Sequence, residues 1–318
     1  MNITPQQENL LTLCALHHGT ATVDWHLIAR TCQSEAGLDA LLAGEIPEDS
    51  AAARKSLPIL RGGLEDQEQA RALVADHLEA AAQVGARLVT VLDENYPANL
   101  RLVPNLPPFL FHLGNLEPRD ARSIAVVGTR GASEDGLKRA ARMARDLVKH
   151  DVVIVSGLAK GIDTAAHTAT LEAGGRTVAV MGTGIAVRVY PAENRPLAKK
   201  IVEQGGAILS QFWPKSPPAR WTFPRRNVVT SGTSMGSVVI EASSTSGAKM
   251  QARIAAEHGK QVFLLRSLAA TQPWAAKMIA DGRAVEVAEL DDVIKRLGRP
   301  DRVRKASQQR IQLALAGL

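Results

Sequence analysis

From Ser123 onward short apolar runs alternate with stretches of helical patterning, and nothing else in the chain restricts its fold as strongly. The runs are Ile124–Val127, Val152–Val155, Thr177–Val180, Ala207–Leu209, Val238–Ile240 and Val262–Leu264. Between most of them apolar residues fall at helical spacing, as in Glu134–Lys149, Arg195–Gln204 and Gly247–Glu257. Strands that are apolar on both sides need cover on both sides. The alternation therefore predicts an α/β fold: a Rossmann-like, doubly wound, mostly parallel sheet. Ligands of such sheets bind beyond the carboxyl ends of the strands, so the residues just after each run carry the functional signal.

The second run leads into Ser156–His167, SGLAKGIDTAAH, where a glycine-bearing loop opens a helix over Gly161–Ala173. Such a loop lines up backbone N–H groups at the positive end of a helix dipole, which suits a phosphate. Taken alone, Gly157 and Gly161 serve an ordinary strand-to-helix turn equally well. Similar loops recur at the neighbouring strand ends, however. Gly128-Thr129-Arg130 follows the first run, and Gly182-Thr183-Gly184 with Tyr190-Pro191 follows the third. The long loop Gln211–Pro224 follows the fourth and runs into Phe223-Pro224-Arg225-Arg226-Asn227. Glu241 follows the fifth, and Ser246-Gly247 opens the next helix. Glycines, hydroxyls and arginines thus converge on one sheet edge. In the 223–227 segment, Arg offers bidentate hydrogen bonds to phosphate and Phe offers a face for a base. Lys160 and Arg130 join the same basic rim. The alternative for this segment is a helix N-terminal turn with both arginines in solvent.

Residues 1–85 read as a helical N-terminal domain, with helices over Gln6–His17, Asp24–Cys32, Ala36–Ala43 and Gln67–Gln83. Thr4-Pro5 supplies an N-cap followed by proline, while Gly44, Pro47, Pro58 and Gly62-Gly63 read as breaks. Leu88–Leu92 is a strand candidate, and the proline pair in Leu106–Gly114 confines that run to a sheet edge or an extended connector. The expected division is a helical domain at 1–85, a Rossmann-like domain at 86–298 and a basic tail at 299–318.

Several function classes drop out. The motifs GxxxxGK[ST] and GxGxxG are absent, which disfavours a P-loop NTPase and a dinucleotide enzyme. The second strand also ends without the acidic residue a ribose needs, since Val155 leads to Ser156. Cys14 and Cys32 fit no metal spacing, and no cofactor is expected. Aromatic residues are only 3% of the chain, which argues against a base-stacking sheet, and a net charge of +6 leans modestly toward a polyanionic partner. The N-terminus lacks a basic, apolar leader, and no stretch approaches the roughly 18 apolar residues of a membrane span. A soluble, cytoplasmic protein is expected, without membrane contact.

Taken in order, Gly128–Arg130, SGLAKGIDTAAH, Gly182–Gly184 with Val189–Asn194 (VYPAEN), FPRRN and Glu241–Ala248 (EASSTSGA) resemble the DNA-processing protein A family, DprA/Smf. The likeness covers roughly Leu88–Val287. It implies an extended Rossmann core that binds single-stranded DNA, forms a homodimer and helps load the RecA recombinase. It also implies an N-terminal helical domain of the SAM or helix-hairpin-helix kind. Residue by residue, it points to Arg130, Lys160, Phe223, Arg225, Arg226 and Asn227 in the DNA groove. With the adjoining turns, the expected contact set adds Gly128, Thr129, Ser156, Gly157, Gly161, Gly182, Gly184, Ser246 and Gly247. The chain also departs from the family pattern. Leu264–Ala275 replaces a VPG-type turn, Val228 stands where an arginine is usual, and the short basic tail stands where a winged helix would follow. A role in transformation, in repair or in phage- or plasmid-related processing stays open.

A non-catalytic DNA binder is the favoured reading, since no Ser/His/Asp order or metal cluster is evident. The competing reading is a nucleotide-binding sensor or nucleotide-hydrolysing enzyme of the related phosphoribohydrolase-like proteins. Its polar candidates are Asp163, His167 and Glu241, the first two one helical turn apart. The plainer role for that pair is that Asp163 caps its helix and His167 holds a neighbouring loop.

Overall fold

The alternation after Ser123 is realised as a parallel sheet, and the helical N-terminal segment packs beside it. The computed structural model describes residues 1–65 and 67–297. The basic tail expected at 299–318 lies outside the described residues, as does residue 298. Five helices come first: α1 (Pro5–Ala15), α2 (Trp25–Thr31), α3 (Glu35–Leu42), α4 (Ala51–Leu64) and α5 (Gln67–Gln83). A hairpin of β1 (His17–His18) and β2 (Ala21–Thr22) separates the first two. There follow β3 (Arg87–Thr90), β4 (Phe109–Gly114), β5 (Ser123–Val127), α6 (Glu134–Val148), β6 (Val153–Gly157) and α7 (Ile162–Glu172). Then come β7 (Thr177–Val180), α8 (Arg195–Glu203), β8 (Ala207–Ser210), α9 (Thr222–Thr233), β9 (Gly236–Val239) and α10 (Gly247–Glu257). The described chain closes with β10 (Gln261–Leu265), α11 (Arg266–Thr271), α12 (Pro273–Ala280), β11 (Val285–Val287) and α13 (Leu290–Ile294).

Nine strands form one sheet in the order β11-β10-β9-β5-β6-β7-β8-β4-β3. Strands β5 to β11 are parallel, whereas β4 runs antiparallel to both β8 and β3. From β5 the chain steps outward through β6, β7 and β8, then crosses back to place β9 on the other side of β5. That reversal opens a crevice at the carboxyl ends of the central strands. Every residue of β5, β6 and β7 is buried. Their few polar side chains are satisfied internally: Ser123 donates to the Thr233 carbonyl at 3.2 Å and Ser156 to the Val126 carbonyl at 2.7 Å.

Three sequence expectations are corrected. Pro58 and Gly62-Gly63 do not break the chain; α4 runs through all three, started by Ser50, whose hydroxyl accepts from the Ala53 N–H. A buried face formed by Ala53, Ser56 and Leu60 outweighs the hydrogen bond that Pro58 removes. The Leu106–Gly114 run is not an edge or a connector. Both prolines precede Phe109, so β4 keeps its ladder on both sides and β3 forms the edge. The sheet also gains β11, whose Val285–Val287 is too short to stand out from its surroundings. In place of a VPG-type turn, α11 starts directly after β10.

The N-terminal helices dock on the β4–β8 region through an aromatic seam. Trp25 lies 5.0 Å from Phe109 and 5.7 Å from Trp213, and the His77 ring stacks on Trp213 at 5.0 Å. Polar ties flank the seam, with Lys215 to Asp76 at 2.6 Å and Gln7 to Asp93 at 2.9 Å. Among the described residues, no helix is long and apolar enough to cross a membrane.

Burial pushes His112, His167 and His258 down to about 4. Each is neutral in the native state and takes up its proton near pH 6.5 only on unfolding. The unfolded chain therefore binds more protons between these values, and native stability falls as pH falls through that window. Urea denaturation at pH 7, 6, 5 and 4.5 is expected to show a progressive loss of about 2 kcal/mol per ring, on the order of 7 kcal/mol for the three. A midpoint constant from pH 7 to 4.5 would contradict neutral burial of these rings.

Candidate functional site

The loop after β6 is held from beneath and from the side before it reaches solvent. His167, on α7, places Nε2 at 2.7 Å from the Gly157 carbonyl and Nδ1 at 2.7 Å from the Thr177 hydroxyl. A carbonyl only accepts, so Nε2 carries the proton, and the Thr177 hydroxyl that faces Nδ1 also lies 2.8 Å from the Ile154 carbonyl, with one proton between the two acceptors. Gly161 then turns the chain at φ +78°, a left-handed conformation that disfavours any side chain. Helix α7 begins at the next residue, and Asp163 in its first turn accepts from the Ala159 N–H at 3.4 Å. His167 holds the neighbouring loop as anticipated, whereas Asp163 does not cap its helix: the N-cap is Gly161, without a side-chain bond, and Asp163 instead ties down the preceding loop at Ala159.

The FPRRN segment is not the end of a loop: helix α9 begins at Thr222 and carries it in its first turns. Helical geometry sends the two arginines to different places. Arg225 is exposed, its guanidinium 5.1 Å from the centre of the Trp221 ring. Arg226 turns inward, its side chain only 14% exposed, and lies over Gly157, where any side chain would overlap the guanidinium. Its Nη1 stands 3.5 Å from the Val180 carbonyl and 3.9 Å from the Asp163 carboxylate. Its Nε is buried with no hydrogen-bond partner among the described residues. Burial raises the Asp163 carboxyl above the usual carboxylate range, against the pull of Arg226, and lowers the Arg226 guanidinium.

Above this floor lies a cleft enclosing roughly 600 Å³ of solvent-open space, bordered by Arg130, Lys160, Gly182, Tyr190, Phe223 and Arg226. Arg130 stands over the Phe223 ring at 5.4 Å, and Phe223 packs flat against Gly182. Lys160 reaches Glu193 at 2.6 Å, with both side chains more than half exposed. Such a surface pair is weak, so the ammonium is available to a competing anion. Three cations, two aromatic rings and the loop that precedes α7 therefore meet in one cleft.

The remaining expected contacts are structural. The Ser156 hydroxyl is consumed by Val126 inside the sheet, and Gly184 is pinned under the Trp213-Pro214 backbone, its N–H donating to Ser216 at 2.9 Å. Gly128 and Thr129 pack against Ile162 and the Glu241 carbonyl, fixing the turn that aims Arg130. Asn227 is buried and donates to the Gly247 carbonyl at 3.4 Å, and the Ser246 hydroxyl caps α10. Val228 is buried in α9 and does not line the cleft. The competing polar trio does not assemble. Glu241 spends its carboxylate on Ser133, accepting from its hydroxyl at 2.7 Å and so bracing the N-cap of α6, while Asp163 and His167 are engaged as described. Among the described residues no cluster of His, Cys, Asp or Glu could hold a metal.

Two aromatic side chains were not in the expected set. Tyr190 and Trp221 are 61% and 54% exposed. The sequence signal was a ring beside arginines in a chain with few aromatics.

The family model described as DNA recombination-mediator protein A matches residues 87–298. The DNA processing protein DprA of Streptococcus pneumoniae is 40% identical over 176 residues, 55% of this chain and 61% of that protein. Protein Smf of a Synechocystis species is 39% identical over 192 residues, 59% of this chain and 48% of that protein. The chain thus spans between about half and three-fifths of the length of these curated relatives. The X-ray structure of DprA from S. pneumoniae superposes with a TM-score of 0.72 at 29% identity, covering 94% of this chain and 99% of that one. A structure of DNA processing protein A from Helicobacter pylori, described as showing a unique single-stranded DNA binding mode, gives 0.58 at 24% identity. It covers 66% of this chain and 94% of that one.

Removing one partner of a buried ion pair strands the other. Arg226→Ala is expected to destabilise the fold by about 2–4 kcal/mol in urea denaturation. Adding Asp163→Asn, which removes the stranded carboxylate, is expected to restore part of that loss. An unchanged midpoint in Arg226→Ala would show that the guanidinium does not support the loop.

Proposed function

The chain belongs to the DNA recombination-mediator protein A family, and from that premise we propose that it binds single-stranded DNA in the cleft beyond β5, β6 and β7. The observation that carries this reading is the gathering of Arg130, Lys160 and Arg226 around one cleft with Phe223 and Tyr190. Cations neutralise successive phosphates, and aromatic faces accept unstacked bases of any sequence. Arg226 acts here as a fixed positive floor, whereas Arg130 and Lys160 are the mobile rim. A duplex keeps its base faces stacked inside, so the rings favour an unpaired strand. The description of the H. pylori protein as a single-strand binder supports the same reading.

The proposal extends to the chain's biological setting. As a homodimer assisting the RecA recombinase, the protein acts without catalysis of its own. The tie of Glu241 to Ser133, the N-cap of α6, and the bonding of both His167 nitrogens support this over nucleotide hydrolysis. Within the chain, residues 86–298 form the DNA-binding unit and residues 1–85 the helical accessory unit.

Fluorescence anisotropy with labelled single- and double-stranded oligonucleotides across a salt series tests the central claim. The wild type is expected to prefer single strands and to lose affinity steeply with salt. Arg130→Ala should weaken single-strand binding roughly tenfold and flatten the logarithmic salt slope by about 0.7. Glu193→Gln, which frees Lys160, should tighten binding instead. Equal affinity in the wild type and Arg130→Ala would remove the cleft from consideration.

A further inference from the structure

Helix α9 shows two opposite faces at its N-terminus, and only one belongs to the cleft. Phe223 and Arg226 are three residues apart and point to the cleft side, where both line it. Trp221 and Arg225 are four apart and share the other side. The backbone of Trp221 is already helical, at φ −78° and ψ −19°, and its carbonyl accepts from the Arg225 N–H at 3.5 Å. The pairing is therefore a property of the helix start. Arg225 stands 5.1 Å from the Trp221 ring centre, and buried Phe212 meets the indole nearly edge-on at 5.8 Å. The ring is thus braced by a core residue, yet 54% of Trp221 faces solvent. Exposing a braced indole has no use in packing, because a tryptophan gains most when its large apolar surface is covered. Arg220 and Arg225 beside it are both exposed, giving the patch the positive charge that a phosphate chain needs.

We propose that Trp221, with Arg225 stacked on it, is a second base-stacking platform, which receives the strand after it leaves the cleft and crosses the start of α9. The proposal rests on the single-strand reading of the cleft and deepens it: the bound segment continues past Phe223 onto the outer side of the helix. A helix is about 10–12 Å across with its side chains, a span that a few nucleotides bridge. Stacking on an indole needs no particular base, so the platform adds length and affinity without adding sequence preference. Arg225 thereby has a role distinct from the one assigned to Arg226. It orders the indole and meets the phosphate of the stacked nucleotide.

The four tryptophans make the test direct, because Trp25, Trp213 and Trp274 are all partly buried and Trp221 is the exposed one. The probe is a labelled oligothymidylate of about 20 nucleotides, longer than a typical single-strand site on one domain. Titration is expected to quench the tryptophan emission of the wild type. Trp221→Phe should abolish that quenching while keeping anisotropy-measured affinity within about twofold, since a phenyl ring still stacks. Trp221→Ala should weaken binding at least about fivefold with an unchanged salt slope. Thermal melts of both variants should match the wild type. Arg130→Ala is run in parallel. If Arg130→Ala weakens binding while Trp221→Ala binds as tightly as the wild type, the platform is refuted and the cleft stands. If Trp221→Phe is as weak as Trp221→Ala, or if Trp221→Ala melts early, the effect is structural and the platform is refuted. If the wild type does not bind the probe, the single-strand reading itself falls.

Discussion

The guanidinium of Arg226 lying on the bare backbone of Gly157 is the contact around which the site is built. It ties α9 to the β6 loop and the adjoining first turn of α7, which lie far earlier in the sequence. Burying a cation is costly, and the Asp163 carboxylate at 3.9 Å offsets that cost only in part. The Val180 carbonyl accepts from the guanidinium at 3.5 Å, and His167 independently fixes the Gly157 carbonyl. Arg226 Nε remains without a partner among the described residues. The guanidinium is therefore a fixed positive charge at the floor of the cleft. Its geometry is set by folding, before any ligand arrives.

How much of this was legible in the sequence depended on whether the signal was local. Strand–helix alternation is a periodic property, so the parallel sheet and its central strands could be read directly. The convergence of turns at the carboxyl ends followed from topology alone. What could not be read was orientation within a helix whose start was unknown. The family resemblance placed Arg225 and Arg226 together in a groove, whereas a helix beginning at Thr222 sends them about 100° apart, Arg226 to the cleft and Arg225 outward. Ser156 misled for a related reason: a hydroxyl at a strand end looks available until the neighbouring strand's carbonyl claims it. The prolines at 107 and 108 read as an edge signal because a one-residue difference decides whether they precede the ladder or interrupt it.

The N-terminal helices are not independent of the cleft. His77 stacks on Trp213, and the backbone just after that ring binds the loop that bears Gly182 and Tyr190. Specifically, Gly184 donates to Ser216 and Ala186 to Pro214, at 2.9 and 3.0 Å. The same loop lines the cleft through Met181–Thr183 and Val189–Pro191. A continuous path of packed rings and backbone hydrogen bonds thus runs from α5 to the cleft wall. The helical segment sets the position of one side of the site without contributing a residue to its lining.

Cations at the site fall into two physical kinds, and the division explains what sort of ligand it suits. Arg226 is immobile and desolvated, so its interaction with a phosphate is strong and depends little on salt. Arg130 and Lys160 are solvated and only loosely held, by an aromatic face and by a surface carboxylate. They adapt to a flexible chain, and salt screens them. A small nucleotide would be served by the fixed kind alone. A polymer whose phosphates arrive at variable positions needs one anchor and several adaptable contacts, with flat rings that ignore base identity. The combination of Arg226 beneath, Arg130 and Lys160 at the rim and Phe223 between them is the arrangement from which a single-stranded ligand is proposed.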